Sequence, residues 1–225
     1  MSTIRVAIDG PSGAGKSTLA RAAAKALGFV YVDTGAIYRT VGLFARKRSV
    51  APGDEAAVAA ILPLIQVELR YDAEGQQRTL LNGQDVSEEI RLPEVSRYAS
   101  AVSALPPVRA YLLETQRELA RTYNVVMDGR DIGTVVLPDA EVKVFLTASV
   151  QVRARRRCRE LEERGTPQPF EEGLRDIEDR DWRDTHRAAA PLRQAENAVL
   201  LDTSALNFQE SLHALLAIIR ERTGL

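Results

Sequence analysis

The sequence predicts an α/β fold: a doubly wound five-stranded parallel sheet with a small antiparallel β insert and a helical lid. Three observations point there. Five short apolar segments, at residues 4–9, 29–33, 125–128, 142–146 and 199–202, are separated by stretches with helical spacing. Residues 66–87 switch to the period-two alternation of half-buried antiparallel strands. Two charged helical patterns, over about 150–164 and 170–186, lie between the fourth and fifth apolar segments.

The elements follow in order. Ile4 to Asp9 reads as a buried strand, residues 10–15 as a glycine-rich turn, and residues 17–27 as an alanine-rich helix stopped by Gly28. After the second strand, a helix is expected over residues 35–48 and a shorter one over 54–65. In the insert, Glu74-Gly75 marks one turn and Asn82-Gly83 a tight hairpin turn. Helices are expected over 88–104 and 107–122, separated by Pro106-Pro107. Asn207 to Glu210 has the spacing of a capping box for a last helix that ends near Gly224. No repeat, low-complexity tract or linker divides the chain, so residues 1–225 are expected to form one domain.

The formal net charge is −1, and hydrophobic residues make up 45%, enough for a sizeable core. No apolar run reaches the roughly 20 residues that span a bilayer, so no membrane partner is expected. The chain enters its first strand pattern without room for a signal peptide, and its single cysteine, Cys158, forms no internal disulfide. A cytoplasmic location and a monomer are the expectations. One cysteine and the histidines His186 and His213, on separate helical segments, argue against a zinc site. Only Lys16, Lys25, Lys47 and Lys143 are lysines among the 30 basic residues. Arginine offers a planar fork of donors suited to phosphate.

Gly10-Pro11-Ser12-Gly13-Ala14-Gly15-Lys16-Ser17 fits the phosphate-loop pattern G-x-x-x-x-G-K-[ST], after a strand and before a helix. Its glycines allow a tight turn that aims backbone N–H groups at an anion, and the helix start adds its positive dipole end. Lys16 can reach the β and γ phosphates, and Ser17 can ligate Mg²⁺ with ATP as phosphate donor. Thr18 is a rival hydroxyl for that metal. The loop alone does not separate kinases from switches or helicases.

An acceptor anion beside a triphosphate needs arginines to offset repulsion. Three segments supply them. Asp33 to Arg39 sits at a strand end, and Arg39 lies one turn into the following helix. Asp128-Gly129-Arg130-Asp131 follows another strand; Asp128 is placed to contact Mg²⁺ through water, and Arg130 and Asp131 project from a glycine-flanked turn. In the charged helical pair, Arg153, Arg155, Arg156, Arg157 and Arg159 lie on the first helix, while Arg180, Asp184 and Arg187 share one face of the second. A lid that excludes water needs such residues. A solvated charged helix would carry the same arginines. A nucleic-acid patch is disfavoured because acidic residues are mixed through the run and aromatics are scarce.

Four segments together carry a resemblance: residues 8–16, 33–39, 128–134, and Arg180-Asp181 through Asp184 to Arg187. In order and spacing the chain resembles the bacterial cytidylate (CMP) kinases, P-loop nucleoside monophosphate kinases, over essentially its whole length. The resemblance implies transfer of the γ-phosphate of ATP to CMP, and to dCMP. It implies a monophosphate-binding region over 35–105 containing the insert, and a helical lid over 150–187. It implies that Ser100, Arg109 and Asp131 read the cytosine base, and that Arg39 and Arg130 hold the acceptor phosphate. By the same resemblance Arg180 and Asp184 reach the sugar or phosphate, Arg187 the base or phosphate, and Arg153 and Arg157 belong to the ATP lid. Some members carry glycine at Ser17, and serine is common at Thr34, where the extra methyl bears on contacts near the sugar or phosphate. The rival readings are another small-molecule kinase, such as a shikimate or adenylate kinase, and a nucleotide-binding switch or RNA-binding regulator that hydrolyses ATP slowly. No guanine-reading Asn-Lys-x-Asp segment is present to suggest a GTPase.

Overall fold

The computed structural model describes residues 3–72, 77–163 and 165–225. The turn expected at Glu74-Gly75 and the helix end expected at Arg164 lie outside them. The chain forms two compact units: unit 1 comprises Met1–Val30 and Tyr123–Leu225, and unit 2 comprises Tyr31–Thr122.

Unit 1 is built on a parallel sheet. β1 (Arg5–Asp9) lies between β6 (Val125–Gly129) and β7 (Val142–Thr147), and β8 (Val199–Asp202) pairs with β7. β2 (Val30–Asp33) gives the five-stranded order β2-β6-β1-β7-β8. Central strands of such a sheet are covered on both faces, so they read as continuous apolar runs. Val6, Ile8, Val126 and Met127 accordingly have no exposed surface. The edge strand β8 keeps Leu200 outward. Asn124 ties the strand starts together: its carbonyl accepts from Val30 N at 2.8 Å and its side-chain oxygen accepts from Ile4 N at 2.8 Å.

The helices of unit 1 are α1 (Lys16–Leu27), α6 (Val150–Glu163), α7 (Phe170–His186) and α8 (Phe208–Thr223). α1 stops at Gly28 in the left-handed conformation that glycine tolerates. Asn207 and Glu210 form the expected reciprocal capping box on α8. Two local readings need correction. The glycine-flanked turn after Asp128 runs on into a π-helical turn, Ile132–Val136. α7 ends at His186, so Arg187 is an extended cap residue, ψ 141°, and does not continue the helical face of Arg180 and Asp184.

Unit 2 contains α2 (Thr34–Lys47), α3 (Glu55–Ile61), the hairpin strands β3 (Val67–Tyr71), β4 (Gln77–Leu81) and β5 (Gln84–Asp85), then α4 (Pro93–Val102) and α5 (Pro106–Thr122). The three strands form the expected small antiparallel sheet. Asn82 and Gly83 both have positive φ, as the tight hairpin turn requires. Proline shortens two expected helices. Pro63 helps convert residues 62–64 to a 3-10 turn after α3. Leu92, before Pro93, is extended, so residues 88–104 split into a 3-10 turn, Glu89–Arg91, and α4. The core joins Ile37, Val41 and Leu43 of α2 to Val58, Ile90, Val95, Val102 and Leu112. α2 and α4 approach closely at Gly42: a Cβ there would meet Ala99 N at 2.8 Å.

Candidate active site

The phosphate loop joins β1 to α1 at the carboxyl edge of the parallel sheet. Its conformation requires glycine. Gly10 has φ 151°, and a Cβ on it would run into the carbonyl oxygen of Leu146 on β7. Gly15 has φ 89° and precedes the first helical residue, Lys16. The α1 N-terminus therefore offers backbone donors with no side-chain cap over them.

Lys16 is buried, and its Nζ donates to the Pro11 carbonyl at 2.7 Å. Burial pulls its pKa well below the ordinary lysine value; Arg130 and Arg180 add to this, and Asp128 and Asp184 oppose it. Ser17 donates its hydroxyl to Asp128 Oδ2 at 2.8 Å, so strand β6 and the loop meet through two oxygen-bearing side chains. Thr18 is exposed. Among the described residues no cluster of three or more His, Cys, Asp and Glu side chains offers a purely protein-built metal cage. A hydroxyl and a carboxylate side by side suit a hard cation that keeps waters and shares substrate oxygens.

Three arginine–aspartate pairs tie α7 and its cap to this edge. Arg153 donates to Ala148 O at 2.8 Å and Ser12 O at 3.1 Å, and pairs with Asp181 at 2.7 Å. Arg130 Nε donates to Asp184 Oδ2 at 2.7 Å. Arg187 Nη2 donates to Asp131 Oδ1 at 3.4 Å, and its Nε donates to Ala190 O at 2.7 Å. Burial pushes the Asp184 pKa up, but Arg130 and Arg180 outweigh it and hold the group below the usual carboxylate range. Arg157 is not drawn to the loop; it pairs with Glu160 on its own helix at 3.0 Å. Its neighbour Arg156 reaches the loop instead, donating to Ala14 O at 3.1 Å and to Thr203 O at 2.9 Å.

Asp9 is a buried carboxylate that the sequence reading did not single out. Oδ1 accepts from Ile132 N at 2.7 Å and Oδ2 from Gly133 N at 2.8 Å. Burial raises its pKa to about 6, against those two bonds. The signal available in the sequence was its position, last in a strand and next to the loop; Arg156 had no such signal inside a run of arginines.

Unit 2 brings together a second group. Asp33 caps α2 by accepting from Ala36 N at 2.9 Å, and its other oxygen pairs with Arg39 at 2.9 Å. Thr34 is buried at the first turn of that helix. Arg39 Nε is buried without a hydrogen-bond partner. On α5, Arg109 donates to Ser103 O at 3.0 Å and lies 5.5 Å over the Tyr38 ring. Ser103 in turn donates to the Ser100 carbonyl at 3.0 Å, so Ser100, Arg109 and Tyr38 form one neighbourhood. A cavity of about 440 Å³ elsewhere in unit 2, lined by Leu64, Gln66, Asn82 and Tyr111, contains none of these residues.

The model of the cytidylate kinase family matches residues 6–221. The chain belongs to the cytidylate kinase family. A cytidylate kinase of Carboxydothermus hydrogenoformans is 50% identical over 216 residues, covering 96% of this chain and 97% of the relative. One of Caldanaerobacter subterraneus subsp. tengcongensis is 48% identical over 221 residues, covering 98% and 96%. A shikimate kinase of Bacteroides thetaiotaomicron aligns with a TM-score of 0.50 at 15% identity, covering 99% of both chains. That likeness shows the shared architecture of a P-loop kinase and nothing about the acceptor. Family membership thus separates this chain from the other small-molecule kinases that share its sheet.

Proposed function

We propose that this protein transfers the γ-phosphoryl group of ATP to CMP, and to dCMP, giving ADP and CDP or dCDP within pyrimidine nucleotide metabolism. The observation that carries this reading is the phosphate loop with buried Lys16, and Ser17 bonded to Asp128, in a chain matched almost end to end by the cytidylate kinase family. The acceptor is already an anionic phosphate oxygen, so no side-chain base is required. Positioning and charge neutralisation do the work.

Gly10, Pro11, Ser12, Gly13, Ala14 and Gly15 cradle the donor phosphates through backbone amides, and Lys16 takes their charge. Mg²⁺ fits the paired oxygens of Ser17 and Asp128, with Ser17 as the direct ligand and Thr18, exposed, as the weaker candidate. Bound there with ATP, it supplies Lewis-acid neutralisation of the phosphate charge.

On the acceptor side, Arg39 and Arg130 hold the α-phosphate of CMP. The unbonded Arg39 Nε supports this, since a buried donor without a partner is costly until an anion fills it. Ser100, Arg109 and Asp131 read the base, Thr34, Arg180 and Asp184 contact the sugar or phosphate, and Arg187 steadies Asp131. Arg153 braces Ser12 against the lid, and Arg157 joins ATP when the lid closes. The monophosphate-binding region is residues 35–105 and the lid is 150–187. We further propose a cytoplasmic monomer with no nucleic-acid or membrane partner; no helix among the described residues is long and apolar enough to cross a membrane. The test is ADP production with ATP and Mg²⁺ while CMP, dCMP, UMP, AMP and shikimate are offered separately. Turnover with CMP and dCMP is expected. A folded, ATP-binding protein that phosphorylates none of the monophosphates would overturn the reading.

A further inference from the structure

We propose that Asp9 is a positioning residue for the acceptor nucleotide: its buried carboxylate clamps the backbone just after Arg130 and Asp131 and so fixes where those two side chains point. This rests on the acceptor roles of Arg130 and Asp131 given above.

Asp9 ends β1 and directly precedes Gly10 of the phosphate loop. In the β1–β6 register it stands opposite Gly129, at the root of the Arg130–Asp131 turn. Each of its oxygens accepts one backbone N–H, from Ile132 at 2.7 Å and from Gly133 at 2.8 Å. These are the first two residues of the π-helical turn Ile132–Val136. The amides that open any helical turn have no partner inside it and need an external acceptor. A carboxylate is a strong one, because charge-assisted bonds are about twice as strong as neutral ones.

The turn itself needs such a hold. Asp131 has φ −147° and ψ 27°, neither helix nor strand, so regular structure does not fix it. Gly133 leaves the room: a Cβ on it would lie 3.4 Å from Asp9 Oδ2, 3.3 Å from Lys143 Cδ and 3.4 Å from Ala195 Cβ. Burying this acid is costly to the fold, which an apolar residue in the same place would avoid. Its bonds connect the strand that launches the phosphate loop to the turn that carries the acceptor arginine. A rigid link between those two segments sets the distance between donor and acceptor phosphates, and a misplacement of about 1 Å in such geometry costs on the order of a hundredfold.

The experiment is Asp9→Asn in the full chain. Asparagine keeps the shape but replaces one acceptor oxygen with an NH₂ that cannot accept a backbone N–H. Amide hydrogen exchange by NMR should show faster exchange at Ile132 and Gly133, with protection of Val6, Ile8 and Val126 retained. In steady-state assays KM for CMP should rise about tenfold to a hundredfold, with KM for ATP changed by less than about twofold. In an Arg130→Ala background the same substitution should add little to KM for CMP, because its effect acts through that turn. Equal losses for ATP and CMP, effects that add in full to Arg130→Ala, or unchanged exchange at the two amides would each overturn the assignment. A wild-type protein that phosphorylates no CMP would sink the reaction instead, and the exchange result is read in the same samples regardless.

Discussion

Replacing Gly42 with alanine tests how the residues of unit 2 that are proposed to bind the acceptor are held. Gly42 lies in α2, which carries Arg39, and faces the backbone of α4, which carries Ser100. An added Cβ would come 2.8 Å from Ala99 N, 3.1 Å from Ala99 Cα and 3.2 Å from Tyr98 C. Because these are backbone atoms, the two helices must part. Overpacking of this kind costs about 1–3 kcal/mol. Alanine returns about 1 kcal/mol of helix propensity relative to glycine. The net expectation is a loss of up to about 2 kcal/mol, or up to roughly 4–8 °C in Tm for a chain of this size. KM for CMP should rise, because Arg39 and Ser100 shift apart, while KM for ATP stays near wild type. Thermal melts followed by circular dichroism and steady-state kinetics measure both. Gly53→Ala is the control: a Cβ there meets nothing within 4 Å, so Tm should stay within about 1–2 °C. A Gly42→Ala protein that melts above wild type, with KM for CMP unchanged, would refute the close helix approach and the argument built on it.

Three further outcomes are expected. Ser17→Ala should lower kcat about a hundredfold or more and raise the Mg²⁺ concentration at half-maximal rate, whereas Thr18→Ala should stay within about threefold, as metal titration of turnover will show. Lys16→Ala should lower kcat by about 10²–10³-fold in single-turnover assays without unfolding the protein, since it removes the cation proposed to take the charge of the donor phosphates. Asp9 also predicts a pH effect. Its folded pKa, about 6, exceeds the ordinary 3.8, so between those values the folded state binds more protons than the unfolded state. Stability contributed by this group therefore falls as pH rises through that window, by at most about 3 kcal/mol. Asp184 acts in the opposite sense, losing its contribution as pH falls below the ordinary carboxylate range. Urea midpoints of wild type and Asp9→Asn at several pH values isolate the Asp9 part, which should vanish in the variant.

Much of the fold was legible because its signals are local. Apolar strands, Gly28 after α1, the Asn207–Glu210 box and the Asn82-Gly83 turn each depend on residues close in sequence. The phosphate loop was legible for the same reason. What the sequence hid depends on contacts between distant segments. The π-helical turn after Asp131 is held by Asp9, some 123 residues earlier, and no spacing rule links the two. The pairing of Arg130 with Asp184, and the choice of Arg156 over Arg157 at the loop, were fixed by how α6 and α7 pack on the sheet. The split at Pro93 was readable in principle, since the residue before proline avoids the helix and Leu92 is extended; at Pro63 the preceding Leu62 keeps helical dihedrals, and the missing proline N–H accounts for the change to a 3-10 turn instead.

Asn124 has a consequence for the chain as a heritable object. Unit 1 releases the polypeptide after Val30 and takes it back at Tyr123, and Val30 is bonded to Asn124 at that junction. The two ends of unit 1 are therefore joined directly by one backbone hydrogen bond, Val30 N to the Asn124 carbonyl. Breaks placed after Val30 and before Tyr123 would leave both partners of that bond in unit 1, and any exchange of the stretch between them would act on unit 2 as one block.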